Sequence, residues 1–305
     1  MYYIQAISSI SNQDSFRNDD LYTSLRDFNT EHDVVAPDYK EFIPRNSLRR
    51  LSPILRMGLT CAIESKNVVG KDFDAIVVGT ALGCLKDTEK FLNTFITSTS
   101  DFLSPTAFIQ STHNTIGGQI SLGLNNHAYN MTHTQNNLSF EVSLIDAILC
   151  IKDGKTNVLV GAAEEKIAFL ELVQPKLISD IYPLASGASF FTLSEKQQNS
   201  TVAIQAVETN FNSKHTDREI SSFLERENVT LENSDLVFTS GNSLNVAGSS
   251  LNTINYLKYS GLHYSASAFA THVAHDFLKN NNAKYALVIN DLCKDNLGLI
   301  LLKKG

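Results

Sequence analysis

Apolar positions along the chain recur with two periods, one suited to strands and one to helices. Tyr3-Ile4-Gln5-Ala6-Ile7 alternates and predicts a first strand, and the polar stretch after it, to about residue 45, predicts loop and short helix. From Ser47 the residues Leu48, Leu51, Ile54, Leu55, Met57, Leu59 and Ala62 recur at helical spacing, with Arg45, Arg49, Arg50 and Arg56 set beside and between them. Pro53 either kinks this helix or marks its true start. Ala75-Ile76-Val77-Val78 is an apolar run of strand length that enters the turn Gly79-Thr80-Ala81-Leu82-Gly83 and then a helix. Strand, glycine turn and helix in that order are α/β grammar.

The pattern continues with a segment from Pro105 that carries Ser111-Thr112-His113-Asn114-Thr115-Ile116-Gly117-Gly118 into another helix. An amphipathic helix over 140–151 follows, then apolar strands at Asn157-Val158-Leu159-Val160-Gly161 and Gly187 to Leu193. The second half repeats this outline. Asp235-Leu236-Val237-Phe238-Thr239-Ser240-Gly241 enters a turn as Ala75 to Gly79 does, and a helix is predicted over 265–279. The apolar runs Lys284 to Ile289 and Leu297 to Leu302 then match the two strands that close the first half. A strand–turn–helix–strand–strand order that occurs twice predicts a duplicated α/β unit rather than a single Rossmann domain. We place its halves at residues 1–195 and 196–305 of one integrated structure.

Composition narrows the function. The chain has 305 residues, 43% hydrophobic and 19% charged, enough for a sizeable core. Its net charge of −7, without an extended basic block, gives no electrostatic footprint for nucleic acid. No apolar run approaches the ~20 residues of a membrane span, and the first residues lack the pattern of a signal peptide, so a cytoplasmic protein is expected. The Asn-x-Thr triplet at Asn130 then reads as a chance match. The four cysteines, Cys61, Cys84, Cys150 and Cys293, form no CxxC pair and no zinc spacing. They read as reduced thiols, with Cys84 and Cys150 in apolar neighbourhoods that suit packing.

Several segments, taken in order, carry a resemblance. They are Ser104-Pro105-Thr106-Ala107-Phe108 leading to Ser111-Thr112-His113-Asn114, then Gly117-Gly118, the run Asn157 to Glu165, and Lys258 with His263. Together they resemble the β-ketoacyl synthases of the thiolase fold. The nearest likeness is to the short chain-length-factor-like proteins of bacterial aryl polyene and flexirubin-type pigment systems. The resemblance implies an α/β thiolase-like fold of two duplicated halves in αβαβα layers, and no cofactor. A condensing enzyme of this kind holds a cysteine at a helix N-terminus, where the helix dipole favours the thiolate. Counting without gaps from Asn114 and back from Val158, that position falls on Asn137; a gap of one residue moves it to Asn136 or Leu138, and none of the three is a nucleophile.

The family also uses two histidines. Ser240 occupies the first position, and the second, five residues after a lysine, is kept as Lys258 and His263. The glycine-rich closing loop is reduced to Asp291-Leu292-Cys293-Lys294-Asp295-Asn296. Asn cannot form a thioester, and losing one oxyanion donor typically costs ~10²–10³ in rate. The resemblance therefore implies a subunit deficient in condensation that pairs with an active ketosynthase and shapes its acyl tunnel. An acyl carrier protein is implied as the further partner, with the Arg45, Arg49, Arg50 and Arg56 group able to meet its acidic surface. The alternative is a divergent acyltransferase or thioesterase that uses His263 as a base.

Two further features invite chemistry but read more simply as structure. The Gly79–Gly83 turn has the form of a phosphate cradle, although a tight turn serves as well. His272 and His275 share a helix face without a third metal ligand apparent.

Overall fold

The computed structural model describes the chain except residues 98–103, 178–181, 199, 215, 232–233 and 242–251. The strands described are β1 (Tyr2–Ile10), β2 (Ala75–Gly79), β3 (Tyr129–His133), β4 (Val158–Glu164), β5 (Gly187–Ser194), β6 (Val202–Phe211), β7 (Leu236–Thr239), β8 (Thr253–Asn255), β9 (Tyr285–Asn290) and β10 (Asn296–Lys304). In the first half the helices are α1 (Leu21–Ser24), α2 (Arg45–Leu48), α3 (Pro53–Val69), α4 (Leu85–Thr97), α5 (Pro105–Gln110), α6 (Thr115–Leu124), α7 (Ser139–Lys152) and α8 (Ala168–Leu177). The second half adds α9 (Thr216–Arg226), α10 (Leu257–Ser260) and α11 (Ala266–Asn280).

Pro53 marks a helix start rather than a kink. It occupies the first turn of α3, where its missing N–H and fixed φ do no harm, while α2 is a separate short helix. Gly70 ends α3 in the left-handed conformation, its N–H returning to the Lys66 carbonyl. The strands β2, β4 and β5 are buried along their whole length, as the apolar runs of β2 and of Val158–Ala163 predict, while β5 buries Ser189 and Thr192 among its apolar residues. The strands β3, β6 and β8 are not predicted by the pattern. In β3 the first three residues are exposed, so no buried run announces it.

The ten strands form one sheet in the order β3-β2-β4-β5-β1-β6-β10-β9-β7-β8. Subtracting five from each number in the second set turns β8-β7-β9-β10-β6 into 3-2-4-5-1, the order of the first set. The directions repeat too. β2 runs parallel to β3 and β4, as β7 does to β8 and β9, while β5 and β10 are antiparallel to their neighbours. The predicted duplication is thus present in the backbone. The two sets meet at a short antiparallel seam, Tyr2 opposite Ile204 and Tyr3 opposite Ala203.

Packing gives the layers. Helix α3 covers the outer face of β1, β4 and β5. Helix α7 lies on β2 and β4 and also touches β6 and β10, and its counterpart α11 lies on β9 and β10 and reaches back to β1 and β5. Ile220, Phe223 and Leu224 of α9 cover Leu287, Ile289 and Leu299 on the outer face of the second set. The result is the expected αβαβα stack, with α7 and α11 as the middle layer. A helix in that layer is covered on several sides, and α7 accordingly buries Phe140, Leu144, Ala147 and Ile151 together with Asn137 and Glu141 at its start. No described helix is long and apolar enough to cross a membrane.

Candidate functional site

The start of α7 is built tightly. Asn136 adopts φ 55°, and a 3-10 turn over Asn136–Leu138 leads into the helix. The Ser139 hydroxyl donates to the Asn136 carbonyl at 2.7 Å and accepts the Gln135 N–H at 2.9 Å, which fixes the turn. The end of β2 runs directly beneath it. A Cβ on Gly79 would lie 2.5 Å from the Ser139 carbonyl oxygen, so this close approach of two backbones requires glycine.

Asn137 is fully buried at this helix start. Its Nδ2 donates to Asn290 Oδ1 at 3.2 Å, and its Oδ1 accepts from Asn296 Nδ2 at 3.0 Å. Asn290 Nδ2 returns a bond to the Asn137 carbonyl at 2.7 Å and another to Glu141 Oε1 at 2.8 Å. Burial pushes the Glu141 carboxyl up to about 7 against the hydrogen bonds from Asn290 and Ser267, and its Oε2 has no hydrogen-bond partner among the described residues. The carboxamide of Asn137 is therefore held at both its nitrogen and its oxygen by groups from β9 and β10.

Ser240, just beyond β7, donates its hydroxyl proton to Asp291 Oδ1 and accepts the Asp291 N–H at 3.2 Å. The buried Tyr256 phenol lies beside this pair, held well above its ordinary pKa first by burial and then by the Asp291 charge. His263, between α10 and α11, is buried. Its Nδ1 has no hydrogen-bond partner among the described residues, and burial pulls the imidazole down to about 4. The ring is a neutral base at pH 7. Lys258 stands apart from this group. It is exposed on α10 and pairs with Asp27 at 3.2 Å. The structure thus gathers Asn137 and Ser240 around the segment 290–296, and His263 shares a cavity with residues of that segment. Lys258 faces solvent.

That cavity, of about 360 Å³, is walled mainly by apolar side chains, among them Leu82, Leu184, Leu262 and Leu292. His263, Glu164, Glu165, Lys166, Tyr264, Cys293 and Lys294 add polar groups to the wall. Glu164, at the end of β4, accepts N–H bonds from Ala81 and from Leu82 at 3.3 Å, and a hydroxyl bond from Ser265 at 3.0 Å. Burial raises both Glu164 and Glu165 to about 7. The Gly79–Gly83 turn is consequently no phosphate cradle, because its N–H groups at Ala81 and Leu82 already hold this internal carboxyl.

The cysteines divide three to one. Cys61, Cys84 and Cys150 are buried at 0%, 1% and 5% exposure, and burial raises each thiol pKa. Cys293 is partly exposed and sits in the cavity wall. His272 is likewise structural: its Nδ1 is 2.9 Å from the Ser9 hydroxyl, and burial lowers its pKa to about 4. No group of three metal-ligating side chains occurs among the described residues. Sequence reasoning reaches Asn137, Ser240 and His263 but passes over Glu141 and Asn290, which become visible only when α7 meets β9.

A family model for the β-ketoacyl synthase N-terminal domain matches residues 26–219. None of the curated proteins matches the chain. Among solved structures, the ishigamide ketosynthase/chain length factor superposes with a TM-score of 0.78 at 14% identity, covering 99% of each chain. A ketosynthase (ApeO) in complex with its chain length factor (ApeC) from Xenorhabdus doucetiae gives 0.64 at 16% identity, again over 99% of each chain. A β-ketoacyl synthase from Burkholderia phymatum STM815 gives 0.79 at 14% identity, over 100% of this chain and 99% of that one. At these identities the likeness is one of fold.

Proposed function

Because the chain belongs to the β-ketoacyl synthase family, we propose that it acts as a chain-length-factor-like subunit, deficient in condensation, beside an active ketosynthase. The observation that carries this reading is Asn137. At the helix start where the family resemblance puts a thiol stands a fully buried carboxamide, hydrogen-bonded to Asn290 and Asn296. A carboxamide in that state neither attacks a thioester nor leaves room for one. Ser240 spends its hydroxyl on Asp291, so one imidazole remains of the expected pair.

The outer surface supports a partner. β3 is the last strand at one end of the sheet, with Tyr129 38% and Met131 40% exposed. An open edge with apolar side chains is a template for another chain. Arg49, Arg50, Arg56, Lys86 and Lys90 line a separate basic cleft, which suits an acidic acyl carrier protein. Aryl polyene or flexirubin-type synthesis, a cytoplasmic location and the division into halves at 195/196 belong to the same reading.

Co-expression with a cysteine-bearing ketosynthase tests it. Native mass spectrometry is expected to give a one-to-one complex, and the chain alone is expected to give no condensation product from acyl and malonyl carriers. Condensation by the chain alone, or failure to bind any such ketosynthase, overturns the proposal. The second reading, acyl-thioester processing at His263, draws on the neutral ring with an unpartnered Nδ1 in the cavity wall. Thioester turnover that disappears in His263→Ala would support it.

A further inference from the structure

A thiol does reach this site, from the opposite side. Cys293 lies in the loop between β9 and β10 that faces the start of α7. Its Sγ is 3.8 Å from Asn136 Oδ1, and the Asn137 backbone N–H is directed at it. It is the only cysteine in the cavity wall, and the cavity volume of about 360 Å³ lies within the ~300–1,000 Å³ of small-ligand pockets. The same wall holds His263, 8% exposed, whose Nδ1 meets no donor or acceptor among the described residues. A buried ring nitrogen left without a partner normally costs stability, and a bound ligand or a transferred proton gives it a use.

We propose that Cys293 is an acyl-accepting thiol, taking a medium-length acyl group from a thioester into this apolar cavity with His263 as the proton acceptor. The proposal rests on the acyl-thioester chemistry of the family but not on the ketosynthase partner. Leu82, Leu170, Leu184, Leu262 and Leu292 supply the apolar wall for the chain. Cys293 Sγ attacks the thioester carbonyl carbon and forms a new carbon–sulfur bond. The tetrahedral intermediate expels the donor thiol, and the proton that leaves Cys293 passes to the neutral imidazole and then to the departing sulfur. One thioester replaces another, and nothing is oxidised or reduced.

Burial favours the protonated form of Cys293, while the Asn137 N–H at the helix start favours the thiolate. A thiol held protonated needs a base close by, and His263 is the neutral base on this cavity wall. Asn137 thereby has a role without being a nucleophile: its side chain is pinned to Asn290 and Asn296, and its N–H is presented to the thiol of the facing loop.

The test uses the full chain and the octanoyl thioester of N-acetylcysteamine, read by intact mass and peptide mapping. A single octanoyl addition on Cys293 is expected, reduced at least tenfold in Cys293→Ala. His263→Ala is expected to slow it at least tenfold with an unchanged circular dichroism spectrum. Added imidazole is expected to restore the rate in His263→Ala and not in Cys293→Ala. Absence of the adduct, acylation of Cys61, Cys84 or Cys150 instead, or an adduct that persists in Cys293→Ala overturns the proposal. A rate in His263→Ala equal to that of the unaltered chain removes the proton-transfer role. Ketosynthase binding by Cys293→Ala is expected to be unchanged, so loss of the partner and loss of acylation are separate results.

Discussion

Asn137 and Asn290 hydrogen-bond to each other twice: the Asn137 side chain donates to the Asn290 side chain at 3.2 Å, and Asn290 Nδ2 donates to the Asn137 carbonyl at 2.7 Å. One residue opens α7 in the first half and the other closes β9 in the second. The pair is a polar clasp across the middle layer.

Replacing Asn290 by Ala breaks that clasp. The Asn137 amide, the Asn137 carbonyl and the Glu141 carboxyl each lose a partner while staying buried, at about 1–3 kcal/mol for each group left unpaired. The urea midpoint is expected to fall clearly at an unchanged slope. Asn296→Ala, which removes the one bond at 3.0 Å to Asn137, is expected to fall less. Equal midpoints for Asn290→Ala and the unaltered chain would show that the clasp contributes nothing.

Gly79→Ala probes how closely β2 and α7 approach. The added methyl would meet the Ser139 carbonyl oxygen at 2.5 Å and Phe140 N at 2.9 Å, both backbone atoms at the helix start. Neither can swing aside as a side chain does, so the cost is expected to exceed the 1–3 kcal/mol of ordinary overpacking. A soluble variant of full stability in thermal unfolding contradicts this.

Glu141 makes stability depend on pH. Its pKa rises from 4.5 to about 7 on folding, so between these values the folded chain binds more protons than the unfolded one. Its contribution is fully present below about pH 4.5, is lost as the pH rises to about 7, and stays lost above. The raised pKa corresponds to roughly 3 kcal/mol at 1.36 kcal/mol per unit. Buried His263 and His272, lowered to about 4, act in the opposite direction through nearly the same window. Glu141→Gln isolates the carboxyl: relative to the unaltered chain it is expected to gain stability from about pH 4.5 to about pH 7 and to hold that gain unchanged above. A difference between the two that does not change with pH refutes the assignment.

Met131→Lys addresses the open edge. A charge at 40% exposure on β3 leaves the fold intact but opposes burial against another chain. The dissociation constant for a ketosynthase is expected to rise at least tenfold with unchanged thermal unfolding. An unchanged constant would place the contact elsewhere.

The strands that a reader of the sequence finds include those buried on both faces, such as β4, where the run Val158 to Ala163 carries no polar side chain and leaves few alternatives. Tyr129-Asn130-Met131-Thr132-His133 is missed because an edge strand exposed on its first three residues has no such run. At the site, Asn137, Ser240 and His263 emerge from the family resemblance, its pattern carried onto the chain by spacing. Their environment does not, since Asn290 and Glu141 are apolar-segment neighbours in sequence and polar neighbours only after two halves close on each other. Cys293 was obscured for the same reason. In a polar loop it has no local feature that separates it from a packing cysteine, and only the fold brings it to the Asn137 N–H.

The position of β1 between β5 and β6 sets a clock on synthesis. This strand is made well before both of its neighbours, which begin at Gly187 and Val202. At about 5–20 residues per second, the ribosome needs on the order of 10–40 s to supply the first of them. Through that interval Ile4, Ala6 and Ile10, all buried in the finished sheet, have no native strand to pair with. The apolar side chains of β1 therefore wait for their partners throughout that interval, and a codon change that slows translation between Ile10 and Gly187 lengthens the wait without altering a single residue.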